Sequence, residues 1–103
     1  MNILVTGVTG FVGKHLVHQV AKRGVFALTC VVRRPGSAEY GQEALVSSID
    51  GGTEWRQPLH NQQMVIHTAA RAHIMKDERP DPLADYRRVN VEGTLNLARQ
   101  AAA

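Results

Sequence analysis

The chain has 103 residues, room for one domain with a modest core but little for a complete nucleotide-dependent enzyme. Hydrophobic residues make up 44% and charged residues 20%, a globular balance that excludes a disordered or fibrous chain. The formal charge of +3 comes from 12 Lys and Arg against 9 Asp and Glu, scattered except for the adjacent pairs Lys22-Arg23, Arg33-Arg34 and Arg87-Arg88, which is too diffuse to argue for a nucleic-acid partner.

The start, Met1-Asn2-Ile3-Leu4-Val5-Thr6-Gly7, lacks the basic lead and long apolar core of a signal peptide, and nowhere do eighteen apolar residues run together. A cytoplasmic chain with no membrane partner is expected. Ile3-Leu4-Val5 reads as a short strand running into glycine-rich sequence. From Phe11 to Arg23 the apolar residues Val12, Leu16 and Val20, with Val17 and Ala21 beside them, take helical spacing. Gly24 supplies the stop, and Phe26 to Val32 lacks polar alternation, as a strand covered on both faces should. Cys30 lies within it, and a single cysteine forms no internal disulfide, so a buried, inert thiol is expected.

The stretch from Arg33 to Tyr40 is loop-like and leaves a second helix shortened or absent. A weaker strand is predicted over Ala44 to Ile49. Gly51-Gly52 marks a turn, Thr53 to His60 forms a short helix capped by Thr53, and Met64 to His67 is a further buried strand. Arg71 to Arg79 is polar and ambiguous. Asp81-Pro82 suits a helix start, since aspartate caps and proline fits the first turn. A long helix then runs to the end, with Tyr86, Asn90, Gly93 and Leu97 on one face. An asparagine and a glycine therefore sit where apolar residues would pack better. Ala101-Ala102-Ala103 ends without a capping residue, so the chain reads as cut inside a helix.

The strongest chemical signal is Thr6-Gly7-Val8-Thr9-Gly10-Phe11-Val12-Gly13, directly after a predicted strand and opening a predicted helix. Gly7 permits the tight reversal, Gly10 removes a side chain where a pyrophosphate approaches, and Gly13 lets helix pack close to strand. The helix amino terminus, with free amides and partial positive charge, then stabilises the anion. The phosphate loop of nucleotide triphosphatases fits poorly: it needs four residues between its glycines and a hydroxyl residue after lysine, whereas five separate Gly7 from Gly13 and His15 follows Lys14. A purely structural strand-to-helix turn is the bland alternative.

Dinucleotide folds commonly place an acid about twenty residues beyond the glycines, where it grips both ribose hydroxyls of NAD. Here the second strand ends in Val32-Arg33-Arg34. A guanidinium pairs bidentately with a 2′-phosphate that a carboxylate would repel, so NADP is favoured over NAD, with solvated loop charges as the alternative.

With these motifs in order, the chain resembles the extended short-chain dehydrogenase/reductase family, particularly its UDP-glucose 4-epimerase-like nucleotide-sugar members, over essentially its whole length. Gly7/Gly10/Gly13 match the family's Gly-x-x-Gly-x-x-Gly, Val65-Ile66-His67-Thr68-Ala69-Ala70 its fourth strand, and Asn90-Val91-Glu92-Gly93-Thr94 its long helix. The resemblance implies an α/β fold, a partial Rossmann-type doubly wound parallel sheet of about four strands with helices on both faces. It also implies that Thr68, Ala69 and Ala70 line the nicotinamide-side ribose, that Phe11 and Val12 flank the pyrophosphate, and that Asn90 belongs to the cofactor site from a buried position facing the fourth strand. Gly93 would permit close helix packing, and packing alone would also explain both residues. The family's adenine-holding Asp-aliphatic pair is replaced by Ser48-Ile49, with Asp50 following. Arg71 and Lys76 would lie near a sugar substrate, with a solvated loop as the alternative for Lys76. His67 reads as a strand-end structural residue, and His15, His18, His60 and His73 show no metal-ligand spacing, so no metal is expected.

By the same resemblance, catalysis requires a tyrosine with a lysine four residues later. Ala44 follows Tyr40 at that distance and Asn90 follows Tyr86, so no catalytic residue is assigned. Residues 1–103 are read as the amino-terminal part of a dinucleotide-binding domain, ending before the catalytic segment. The expected function is the NAD(P)-binding portion of a nucleotide-sugar epimerase, dehydratase or 4-keto reductase; the alternative is a non-catalytic NAD(P)-sensing module. A fourth strand left at an open edge implies self-association into a homo-oligomer.

Overall fold

A computed structural model describes residues 1–69 and 82–103. Four parallel strands, β1 (Asn2–Thr6), β2 (Ala27–Val32), β3 (Gln42–Leu45) and β4 (Met64–His67), form one sheet in the order β3-β2-β1-β4. This is the α/β, doubly wound, Rossmann-type arrangement. Side-chain alternation divides the core in two. Ile3, Val5, Leu28, Cys30 and Val32 face Val17 of helix α1 (Phe11–Arg23), while Leu4 and Val31 face Trp55 and Leu97 on the other side. Strands covered on both faces carry no polar alternation, which is why β1 and β2 read as continuous apolar runs.

Helix α1 occupies the predicted span and ends on Gly24, whose φ of 69° lets its N–H reach the carbonyl of Ala21. Lys22 and Arg23 sit in its last turn, where cations complement the helix dipole. Its inward face is Gly13, Leu16, Val17 and Val20. Val12, predicted on that face, is 65% exposed instead. Residues 33–41 form a loop, with no helix between β2 and β3, as expected.

Two elements differ from their predicted spans. Strand β3 covers Gln42–Leu45 rather than Ala44 to Ile49, because pairing with β2 sets its register from Thr29↔Gln42 to Val32↔Leu45. The ladder ends with Val46 N–H on the carbonyl of Val32, where β2 stops. Helix α2 is only Arg56–Leu59, and Thr53 does not cap it. The Thr53 hydroxyl instead donates to the carbonyl of Ser48 at 2.8 Å and accepts the N–H of Asp50 at 2.9 Å, closing the loop before the helix begins.

The final helix runs as α3 (Pro82–Tyr86), a π-helical segment (Arg87–Gly93) and α4 (Thr94–Ala102), with right-handed helical dihedrals at both junctions. The wider π turn alters the phase of the inward face. Gly93 and Leu97 are buried as predicted and Tyr86 is half-buried, but Asn90 is exposed and half-buried Val89 lies four residues before Gly93. Asn90 thus does not occupy the buried position expected of it. The buried-side amides are Asn96 and Gln100. Asn96 Nδ2 donates to the carbonyls of Asp50 and Thr53, and Gln100 Nε2 donates to the carbonyl of Thr53 while its Oε1 accepts the N–H of Trp55. The Asp81 cap and the 71–79 stretch lie outside the described residues. Among the described residues no helix is long and apolar enough to cross a membrane.

Candidate functional site

The carboxyl ends of the parallel strands bring the predicted residues to one edge of the sheet. At the end of β1, buried Thr6 gives way to Gly7, whose φ of +74° an L side chain rarely adopts. Space forbids a side chain there too: an added Cβ would collide with Thr68 Oγ1 and lie 2.6 Å from the backbone nitrogen of Ala69. At Gly13 a Cβ would strike the carbonyl oxygen of Gly7 and come within 2.8 Å of Thr68 Oγ1. Gly13 therefore packs against the turn itself and Thr68, so the first turn of α1 is pressed onto the ends of β1 and β4.

Gly10 is different. Its φ is −79°, and an added Cβ would find only the carbonyl oxygen of Gly7, at an ordinary 3.5 Å. The absence of a side chain there leaves open the space in front of the helix. Gly10 precedes α1 without a side-chain cap, and the first turn holds no acid. The helix terminus is thus electropositive, with orphan amides turned to the open side. Phe11 and Val12 flank it, 82% and 65% exposed, with the Phe11 ring edge-on to His15 at 4.8 Å between centroids.

A hydroxyl-imidazole network fixes the end of β4 beside this turn. Thr6 Oγ1 accepts the N–H groups of Thr68 and Ala69, each at 3.1 Å, and lies 2.6 Å from His67 Nδ1. With both lone pairs taken, the Thr6 hydroxyl donates its proton to Nδ1. The His67 proton therefore sits on Nε2, which donates to Thr94 Oγ1 at 3.1 Å. Burial lowers the His67 pKa and favours this neutral form. Thr68 Oγ1 completes the network by donating to the carbonyl of Thr6 at 2.6 Å. His67 is accordingly engaged through both ring nitrogens. Thr6 and Thr94, which sequence reasoning left unassigned, are its partners; each stood in or beside a motif that had been singled out.

On the other side of β1, Arg33 and Arg34 extend from the end of β2, exposed, and neither guanidinium pairs with a carboxylate among the described residues. The loop after them is well anchored. Glu43 accepts the N–H groups of Gly36 at 2.9 Å and Ala38 at 2.8 Å, and these backbone bonds lower its pKa. Tyr40 Oη meets His18 Nδ1 at 2.8 Å. Beyond β3, the Ser48 hydroxyl donates to Asp50 Oδ2 at 2.9 Å, while Ile49 packs against the Trp55 side of the core. Asp50 also accepts the N–H of Gly52, the leading cause of its lowered pKa. Of the remaining predicted residues, Ala69 is half-buried, whereas Ala70, Arg71 and Lys76 lie outside the described residues.

Comparison with known proteins agrees with this geometry. A family model described as the NAD dependent epimerase/dehydratase family matches residues 3–103. A UDP-glucose 4-epimerase from Vibrio cholerae is 42% identical over 100 residues, which cover 97% of this chain and 30% of that protein. Among solved structures, a short-chain dehydrogenase/reductase superfamily protein from Agrobacterium tumefaciens with bound NAD superposes with a TM-score of 0.76 at 29% identity, covering 98% of this chain and 29% of that one. MoeE5 in complex with UDP-glucose and NAD gives 0.74 at 29% identity, over 97% and 32%. The chain therefore spans about a third of the length of the relatives it matches.

Proposed function

The chain belongs to the NAD dependent epimerase/dehydratase family, and from that membership we propose that it is the NAD(P)-binding portion of a nucleotide-sugar epimerase, dehydratase or 4-keto reductase. The observation that carries the reading is the uncapped start of α1 behind Gly10, where two glycines are locked against backbone and the third faces open space. A pyrophosphate fits such a terminus. The order of the strands supports the rest: with β1 under the pyrophosphate, the ends of β2 and β3 serve the adenosine and the end of β4 the nicotinamide.

In this reading Gly7, Gly10 and Gly13 shape the turn, Phe11 and Val12 screen the phosphates from water, and Ser48 and Ile49 border the adenine. Arg33 and Arg34 take a 2′-phosphate, which favours NADP. The His67 network holds Thr68 and Ala69 in place on the nicotinamide side. The nicotinamide, when bound, supplies hydride exchange with the sugar in the complete protein, and this chain's residues bind and orient it. In this reading the acid/base tyrosine and lysine belong to other segments of the complete protein, and the UDP-sugar complex of MoeE5 supports a nucleotide-sugar as substrate.

Calorimetric titration with NADP and NAD tests the proposal. Gly10→Val should leave the chain folded, because a Cβ there meets only the Gly7 carbonyl oxygen at an ordinary 3.5 Å, yet weaken both dinucleotides at least tenfold. Arg33→Ala with Arg34→Ala should weaken NADP by about tenfold or more, the scale of a charge-assisted pair, and NAD much less. Unchanged binding in Gly10→Val would refute the assignment of the turn.

A further inference from the structure

Between the glycine turn and the loop after β2 lies a small cleft of about 100 Å³, lined by Val8, Thr9, Lys14, Val17, Ser37 and Glu39. Val8 and Thr9 belong to the turn, Lys14 and Val17 to α1, and Ser37 and Glu39 to the loop that begins with Arg33-Arg34. The cleft therefore joins the end of β1 to the end of β2, the stretch an adenosine ribose must cross between a pyrophosphate on α1 and an adenine beyond β2. Across it Lys14 Nζ stands 3.4 Å from Glu39 Oε1, with side chains 61% and 56% exposed.

Glu39 is not a casual surface charge. Its neighbours on both sides are tied down: the N–H of Ala38 binds Glu43, and Tyr40 is held through its ring oxygen by His18 and through its carbonyl by the Cys30 thiol at 3.3 Å. The backbone that bears Glu39 is thus fixed, while its head group makes only an exposed ion pair, of a kind worth little and easily opened. Sequence spacing shows only arginines where a ribose-binding acid is sought. The fold delivers an acid to the same region from six residues further along.

We infer that Glu39 and Lys14 form a cofactor-selectivity pair in this cleft, an inference that rests on the dinucleotide reading above. A carboxylate accepts hydrogen bonds from the two hydroxyls of an unmodified ribose and repels a 2′-phosphate, whereas an ammonium in a cleft that Ser37 and Thr9 also line does the reverse. With NAD the Lys14–Glu39 pair stays closed and Glu39 faces the ribose. With NADP, Lys14 exchanges Glu39 for the phosphate, and the displaced carboxylate opposes the pull of Lys14 and the nearby Arg33 and Arg34. Glu39 thereby moderates the NADP preference that the two arginines impose.

The test is calorimetric titration of the wild-type chain, Glu39→Gln and Lys14→Met with NAD and NADP, reading the ratio of the two affinities. Both side chains are exposed, so both variants should keep the wild-type thermal midpoint. Glu39→Gln should raise the NADP-to-NAD ratio roughly fivefold and Lys14→Met should lower it by a similar factor, the upper range for single exposed charges. If both dinucleotides bind and the ratio stays within about twofold in both variants, or if each variant weakens both ligands equally, the selectivity pair is refuted and the cofactor reading stands. If the wild-type chain binds neither at millimolar concentration, both are overturned.

Discussion

His67 ties the end of β1 to the final helix, and its protonation state is set by counting hydrogen bonds. Protonating Nδ1 would place a donor against a Thr6 hydroxyl whose lone pairs already serve Thr68 and Ala69. Burial also opposes the charge, so the folded-state pKa lies below the ordinary 6.5. A histidine depressed in this way contributes stability that is complete above pH 6.5 and is lost as pH falls toward its folded value, because the unfolded chain takes up the proton first. Urea midpoints should therefore decline just below pH 6.5 in the wild type and much less in His67→Gln. Glu43 and Asp50 are depressed from 4.5 and 3.8, so their contributions are lost only in more acidic solution and do not obscure this window. Cys30 is the opposite kind of buried group: desolvation, aided by Glu43, pushes its thiol up to about 11, in keeping with the inert thiol expected from its apolar surroundings.

At the scale of elements, the last helix works as a clamp on the loop between β3 and α2. Gly93 lies so close to that loop that an added Cβ would sit 3.0 Å from the carbonyl oxygen of Ile49. One turn later Asn96 and Gln100 satisfy the carbonyls of Asp50 and Thr53 and the N–H of Trp55, backbone groups that belong to no strand or helix ladder. Asn96→Ala should cost about 1–3 kcal/mol, the net loss of two hydrogen bonds to part-buried carbonyls, of which that of Thr53 keeps Gln100 as a donor. Urea unfolding followed by the fluorescence of Trp55, the single tryptophan and fully buried, measures this directly. An effect below about 0.5 kcal/mol would mean that water replaces the amide without loss.

For the whole molecule, the strand order leaves β4 with a partner on one side only among the described residues. Its Met64 is 43% exposed and Val65 and Ile66 are half-buried, while Leu83, Val91 and Leu95 are exposed on the final helix. An unpaired ladder and scattered apolar side chains on one element favour association with a second copy. The expected result is a dimer by light scattering at high concentration, dissociating on dilution. A monomeric mass at every concentration would refute it.

Legibility in the sequence followed how local each cause is. Helix α1 and strand β4 fall on their predicted residues because helical spacing, a terminating glycine and a short apolar run between turn residues are properties of neighbours in the chain. The glycine turn was legible for the same reason, since φ > 0 at Gly7 is a local demand. Strand β3 was misplaced because its bounds come from where β2 offers partners, and α2 because Thr53 spends its hydroxyl on a loop. Asn90 was expected on the buried face and is exposed because a π turn shifts which residues face inward, and nothing in residues 87–93 announces one. The sequence by itself thus determined the parallel α/β scaffold and the glycine turn that opens α1, both written in short-range pattern. Only the tertiary structure decided the partners of His67, the clamp by Asn96 and Gln100, and the meeting of Lys14 with Glu39, because each joins residues that periodicity along one element cannot relate.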